Sequence, residues 1–190
     1  MPGPPDSVSG AAGLAAAIRE AALLEGDFLL RSGKRSSYYL DKYRFATRPD
    51  LLRILGVAIA AAVSEHEPDA VRLAAPELGA VPLAAAASLE TELPFVIVRG
   101  AVKDHGTGNR IEGVFEPGER VCLIEDIVTA GGAALEAVEV LREAGLLVST
   151  VVCVVDREEG GADALARAAV RLRPLLHASE VRDVSASPHG

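Results

Sequence analysis

The chain has 190 residues, which suits one α/β domain around one core, and with 49% apolar but only 4% aromatic residues that core must be filled by Ala, Val and Leu. A net charge of −8 argues against general binding to nucleic acid or to an anionic membrane, so the cations for any anionic ligand must be gathered locally. No apolar run reaches the ~18 residues of a membrane span, and no basic segment leads into an apolar one as in a secretory signal.

Residues 1–10 are rich in Pro, Gly and Ser and are expected to be a disordered tail. Residues 11–24 read as an Ala-rich helix ended by Gly26. Residues 27–44 alternate apolar and polar around Ser32-Gly33-Lys34, the pattern of a hairpin. Asp50 is placed to cap a helix over 51–65, with Leu51, Leu52, Leu55, Ile59 and Val63 near one face. A short strand over 71–75 precedes a helix over 80–89, which follows Gly79, and the next strand is 95–98. Residues 100–113 contain four glycines and almost no apolar periodicity, so they read as loop. The clearest strands are 121–124 and 150–155, joined by a helix from Ala133 to Gly145. Residues 163–170 suggest a helix and 172–176 an edge strand, weakened by Pro174. Residues 185–190 look frayed, leaving 11–184 as one domain.

Strands and helices alternating at this length predict a parallel doubly wound sheet, with ligands at the carboxyl ends of the strands. Cys122 and Cys153 both lie in apolar strand-like runs. They read as buried free thiols, and a cytoplasmic location follows.

Residues 121–133, VCLIEDIVTAGGA, are the most informative stretch. A short buried strand runs into two acids, then into Thr-Ala-Gly-Gly at the start of a helix. Glycines at such a turn let backbone N–H groups approach an anion, and the helix N-terminus adds partial positive charge. This is a phosphate cradle. Glu125 and Asp126 would repel a plain phosphate, but they make sense as acceptors for sugar hydroxyls of the same ligand. Adjacent strand residues point to opposite faces, so both acids can face one ligand only if the strand has already ended. The plain alternative is a solvated acidic turn ahead of a helix.

This stretch resembles the phosphoribosyl-diphosphate (PRPP) motif of type I phosphoribosyltransferases: an aliphatic strand, two acids, two aliphatics, then Thr-x-Gly. Three more stretches make the chain similar to the orotate phosphoribosyltransferases. Residues 99–108, RGAVKDHGTG, resemble that family's lid loop. Residues 28–40, FLLRSGKRSSYYL, resemble its N-terminal hairpin, and 154–158, VVDRE, its strand end carrying Asp-Arg. The four occur in the family's order over roughly residues 14–175.

The resemblance implies a parallel sheet flanked by helices, a small N-terminal hood over about 11–45 and a lid loop over about 99–113. It implies transfer of a phosphoribosyl group from PRPP to orotate, with Mg²⁺ held mainly on diphosphate and ribose oxygens rather than by the protein directly. Arg99, Lys103 and His105 would bind diphosphate, with Lys103 reaching into the neighbouring subunit of a homodimer. Glu125 and Asp126 would hold the ribose hydroxyls. Thr129, Ala130, Gly131, Gly132 and Ala133 would wrap the 5′-phosphate, with Ile127 and Val128 leading into that turn. Thr129 and Arg157 would bind orotate, while Arg31 and the region of Tyr38 and Tyr39 close over the base. Catalysis would fall to Lys103, His105 and Asp126.

The residues support parts of this independently. Lys103 could stabilise charge on departing diphosphate, His105 could donate a hydrogen bond or proton to it, Asp104 could orient either, and Arg99 offers a fixed cation. Without that context, residues 103–105 are an ordinary charged loop. Arg157 suits a bidentate contact to a carboxylate, although Asp156-Arg157 also fits a surface pair and the tyrosines fit hairpin core.

The chain departs from the family's pattern in places. Gly100 follows the lid arginine where a lysine is frequent, and residues 75–82, APELGAVP, lack the frequent lysine of the diphosphate loop. Backbone amides of residues 78–80 are candidate replacements. The usual aspartate pair is Glu125-Asp126. Two other functions fit the same motifs: a phosphoribosyltransferase for another carboxylated base, and a non-catalytic sensor of PRPP or nucleotide. Lys103 and His105 favour an enzyme, and no helix-turn-helix extension or basic face supports a DNA-binding regulator.

Overall fold

The computed structural model describes residues 10–29, 33, 35–100 and 110–183. The chain opens with helix α1 (Ala11–Ala22), the antiparallel hairpin β1 (Leu23–Leu29) and β2 (Arg35–Leu40), and the short helix α2 (Lys42–Ala46). Then come α3 (Pro49–His66), β3 (Arg72–Pro76), α4 (Val81–Thr91), β4 (Phe95–Val98), β5 (Ile111–Glu112) and β6 (Arg120–Val128). The remaining elements are α5 (Gly132–Glu143), β7 (Leu147–Asp156), α6 (Gly161–Arg167), β8 (Arg171–His177) and α7 (Ala178–Asp183).

Six strands form the main sheet in the order β5-β4-β3-β6-β7-β8. All neighbours run parallel except β5, which pairs antiparallel with β4. Successive residues of β6 feed two different cores. Cys122 and Ile124 pack with Leu55, Ile59 and Leu83 from α3 and α4. Val121 and Leu123 pack with Ala137, Val138 and Leu141 from α5, and with Leu165 from α6. Helices on both faces explain why the inner strands are apolar throughout. Gly56 lets α3 and α4 approach closely, since a Cβ there would stand 3.0 Å from the Ala86 methyl.

Cys122 and Cys153 are buried free thiols, and burial pushes Cys122 up to about 12. Among the described residues no helix is long and apolar enough to cross a membrane.

The structure moves several predicted boundaries. Helix α1 ends at Ala22, not near Gly26, which lies inside β1 at a register irregularity between Glu25 and Phe28. The glycine serves the bulge, where the Phe28 ring packs 3.1 Å from where a Cβ would stand. Asp50 does not cap α3. The helix begins at Pro49, whose fixed φ suits the first helical position, and Asp50 pairs with the Arg48 guanidinium (3.1 Å). The hairpin ends at Leu40, because Asp41 caps α2 by accepting from the Tyr43 amide (3.1 Å). Within the glycine-rich stretch read as loop, Ile111 and Glu112 form β5. Strand β6 runs on through both acids to Val128. Pro174 sits in β8 opposite Cys153, on an outer strand that tolerates a missing donor.

Charged pairs tie the amino ends of the strands together. Arg72, opening β3, makes a two-pronged contact to Glu119 (2.7 and 2.9 Å). Glu67, at the end of α3 and only 4% exposed, accepts from Ser149 (2.5 Å) and faces Arg120 and Arg171 at 3.4 and 3.8 Å. Burial raises the Glu67 carboxyl, but the Ser149 and Thr150 hydrogen bonds and the two arginines bring it below its usual range.

At the opposite end, α2 is pinned by Phe45, the bulkiest fully buried side chain among the described residues. Phe45→Ala should cost about 3–5 kcal/mol through lost burial and a residual cavity. A lowered urea midpoint at unchanged slope would show it; an unchanged midpoint would mean that α2 is not anchored by this ring.

Candidate active site

Strand β6 delivers Glu125 and Asp126 to the carboxyl end of the sheet. Both are nearly inaccessible, at 5% and 3% exposure. Because the strand persists, they diverge as alternation requires. Glu125 helps line a small cavity of about 30 Å³ with Ile127, Val128, Thr129 and residues 131–134. Asp126 turns toward the N-terminal elements, where its Oδ2 lies 2.9 Å from Lys42 Nζ and its Oδ1 accepts from the Ile127 amide (2.6 Å).

The residues predicted to form the cradle line this cavity, except Ala130. Gly131 occupies the left-handed region (φ 84°) at the start of α5, a conformation that favours glycine. A second glycine, unforeseen in the sequence, makes the turn possible. A Cβ on Gly161 would stand 2.5 Å from both the Thr129 carbonyl oxygen and Val128 Cγ1. The start of α6 therefore packs directly beneath the β6–α5 turn. Thr129 and Ala130 are exposed on its outer side.

Glu125 is electrostatically unusual. Burial, with added repulsion from Asp126, pushes its carboxyl up to about 8, although Lys42 partly offsets this. Lys42 responds in the opposite sense to its surroundings: burial lowers it, but the Asp126 hydrogen bond and charge bring it above its usual value.

Asp126 also abuts the loop between β3 and α4. A Cβ on Gly79 would collide with its Oδ2 and approach Lys42 Cε to 3.1 Å. In that loop the Glu77–Leu78 peptide is cis, the Glu77 amide donates to the Val98 carbonyl (2.9 Å), and the Glu77 carboxylate accepts from the Gly100 amide (3.0 Å). Arg99 lies at the end of β4, facing Glu112 at 3.4 Å, with its Nε buried and unbonded. Arg110 donates to the Arg99 carbonyl (3.2 Å) and to Glu136 on α5 (2.6 Å), fastening both stems of the 101–109 segment. Lys103 and His105 lie outside the described residues, as does Arg31.

On the other side, Arg157 follows β7. Its side chain is 7% exposed, pairs with Glu159 (2.8 Å), and has a buried, unbonded Nε. The guanidinium sits 4.9 Å from the centre of the Tyr38 ring, and Arg182 of α7 lies 5.3 Å from the same ring. Tyr38 thus faces the predicted base residue. Tyr39 turns away, 42% exposed, with its ring 5.7 Å from that of Phe28.

The structure therefore brings Glu125, Thr129, Gly131, Gly132 and Ala133 to one cavity, with Asp126 and Arg157 at adjoining strand ends. Sequence reasoning missed Lys42, Gly161 and Arg182. Only the Gly160-Gly161 pair, following a strand end, carried a local signal.

No family model matches the chain. Its relatives include an orotate phosphoribosyltransferase of Methanocella arvoryzae, 49% identical over 156 residues, covering 82% of this chain and 87% of the relative. Among solved structures, an orotate phosphoribosyltransferase from Aeropyrum pernix superposes with a TM-score of 0.80 at 32% identity, covering 88% of this chain and 95% of that one. That of Mycobacterium tuberculosis in complex with PRPP gives 0.75 at 28% identity, covering 90% and 98%.

If Glu125 faces the cradle, its protonation should control anion binding there. Sulfate keeps its charge between about pH 7 and 9, the interval in which a carboxyl raised by burial would ionise. Sulfate affinity should fall as pH rises through that interval, because the ionised carboxylate repels the anion. Glu125→Gln should remove the dependence. Identical calorimetric pH profiles for the two proteins would place Glu125 away from the cradle.

Proposed function

The chain belongs to the orotate phosphoribosyltransferase family, and from that premise we propose which residues carry each part of the reaction. The reaction joins orotate to PRPP, giving orotidine 5′-phosphate and diphosphate, a step of UMP biosynthesis. One observation supports the assignment of parts: the cavity at the end of β6 and a buried arginine just after neighbouring β7 lie at the same end of the sheet. A ligand with phosphate at one end of a ribose and a carboxylated base on C1 spans such an arrangement.

In this reading, residues 129–133 offer backbone donors to the 5′-phosphate; because Glu125 and Asp126 point to opposite faces of β6, Glu125 accepts from a ribose hydroxyl at the cavity, and Asp126 meets the ligand from the side of the β3–α4 loop. Arg157 exchanges Glu159, which is 41% exposed, for the orotate carboxylate. Tyr38 lies over the base, and Thr129 contacts it from the turn. At C1 the bond to the diphosphate oxygen breaks as the bond to the orotate nitrogen forms, with inversion. Negative charge grows on the leaving group. Arg99 and Lys103 would stabilise it, and His105 would supply a hydrogen bond or proton.

Among the described residues, no three His, Cys, Asp or Glu side chains are grouped to hold a metal. Mg²⁺ would then be held mainly through diphosphate and ribose oxygens, hard donors that suit it, rather than by the protein directly. When bound, Mg²⁺ would neutralise charge on the diphosphate. The two buried thiols fit a reducing cytoplasm, and residues 11–184 would act as one domain.

The direct test is orotate consumption followed by absorbance, with PRPP and Mg²⁺. In that assay Arg157→Ala should raise KM for orotate far more than for PRPP, by roughly 10–100-fold for a lost charge-assisted contact. Equal losses for both substrates in a folded variant would count against Arg157 as the base anchor.

The family resemblance also implies a homodimer in which Lys103 acts on the neighbouring site. Lys103→Ala and Asp126→Ala proteins should then each be inactive but complement each other. At random exchange half the dimers are hybrid, each with one intact site, so activity should return to about a quarter of wild type. No recovery, with exchange verified by mass, would place Lys103 in its own subunit's site.

A further inference from the structure

The loop between β3 and α4 lacks the lysine that the family frequently has there, and its Leu78 is 66% exposed. It cannot neutralise a diphosphate. A cation nonetheless reaches the loop from elsewhere in the chain. Lys42 opens α2, where the Asp41 cap fixes the backbone and buried Phe45 fixes the helix. From there its stem runs along Gly79, so closely that a Cβ on that glycine would lie 3.1 Å from Lys42 Cε. Its ammonium ends 2.9 Å from Asp126 Oδ2 and 5.6 Å from the centre of the Tyr43 ring. The charge therefore sits where the Asp126 carboxylate meets the β3–α4 loop.

We propose that Lys42 donates to the diphosphate of PRPP while holding Asp126, supplying from α2 the cation that the β3–α4 loop lacks. This rests on the role given to Asp126 under the proposed function and on the diphosphate-loop resemblance of residues 75–82. An ammonium has three donors, so one can remain on Asp126 while another meets a ligand oxygen. The side chain is 36% exposed, against 4% for Asp126, so the pair is open from the lysine's side. The ligand itself makes the cation necessary. A polyanion brought beside a buried carboxylate is repelled unless a cation lies between them, and Lys42 is the group placed there. Its stem lies along Gly79, the same loop residue that Asp126 abuts.

The decisive experiment uses Lys42→Met, which keeps the stem and removes the charge, and then adds Leu78→Lys at the exposed loop position. Lys42→Met should raise KM for PRPP and the inhibition constant of diphosphate by roughly 10–100-fold, the scale of a charge-assisted contact, with KM for orotate little changed. Lys42→Met/Leu78→Lys should regain most of that loss, because the cation returns to the same ligand from the loop. An anchoring role for α2 would not be rescued from Leu78. Unchanged PRPP and diphosphate constants in Lys42→Met would overturn the proposal. So would a loss without rescue, which would confine Lys42 to Asp126, or an equal loss for orotate, which would mark a distorted site. Diphosphate binding measured by calorimetry needs no turnover. An inactive wild type would therefore sink the orotate reading, while the diphosphate comparison would still decide the role of Lys42.

Discussion

Two adjacent carboxylates buried at the end of one strand are the constraint on which this site depends. Burying one ionised carboxylate is costly; burying two side by side adds mutual repulsion. The fold meets this by keeping β6 extended through both, so that alternation sends Glu125 and Asp126 to opposite faces. The two then reach different solutions. Asp126 gains a lysine and a backbone donor, whereas Glu125 is pushed toward its neutral form. If the turn holds a phosphate as proposed, a Glu125 pushed toward its neutral form would reconcile an acid with it. It can hydrogen-bond a sugar hydroxyl without setting a full negative charge beside the phosphate.

The distribution of cations follows from the same constraint. Nineteen lysines and arginines face 27 acids, yet the presumed ligands are anions. At the amino ends of the strands, Arg72, Arg120 and Arg171 are committed to Glu119 and Glu67. At the carboxyl ends, Arg99 and Arg157 each leave a buried Nε unbonded, and their acidic neighbours Glu112 and Glu159 are about half exposed. Such pairs stabilise little and exchange readily with an incoming anion. The sheet thus has a closed electrostatic end and an open one.

What could be read from the sequence was whatever a local pattern decides. The β6–turn–α5 unit was legible because a buried parallel strand, two acids and two glycines follow closely in sequence, and β7 was legible by its Val-rich apolar run. Helix and strand boundaries in the N-terminal elements were not. Gly26 serves equally as a helix stop or a bulge, and only the Phe28 ring packed over it decides between them. Asp50 looks like a cap until Pro49 claims the first helical position and Arg48 claims the carboxylate. β5 could not be foreseen, since two residues have no periodicity and their pairing with β4 is set by Arg110 fastening the stems. Lys42 was invisible for a different reason. Eighty-four positions separate it from Asp126, and nothing near it in sequence marks it as facing anything but solvent.

In the proposed reading, base recognition is tied to the N-terminal hairpin. The Tyr38 ring contacts the guanidiniums of both Arg157 and Arg182, so its position depends on two cations from separate elements. Arg182 is in turn held near α1, whose Arg19 donates to the Arg182 carbonyl at 2.6 Å. A ring placed in this way is attracted to both positive charges. If an orotate carboxylate draws Arg157 away from Glu159, the contact of its guanidinium with the Tyr38 ring changes with it. Base binding is then coupled to the hairpin through a ring contact. Discrimination among bases would reside in this geometry as much as in the arginine itself, because a base without a carboxylate leaves Arg157 on Glu159 and its contact with Tyr38 as it stands.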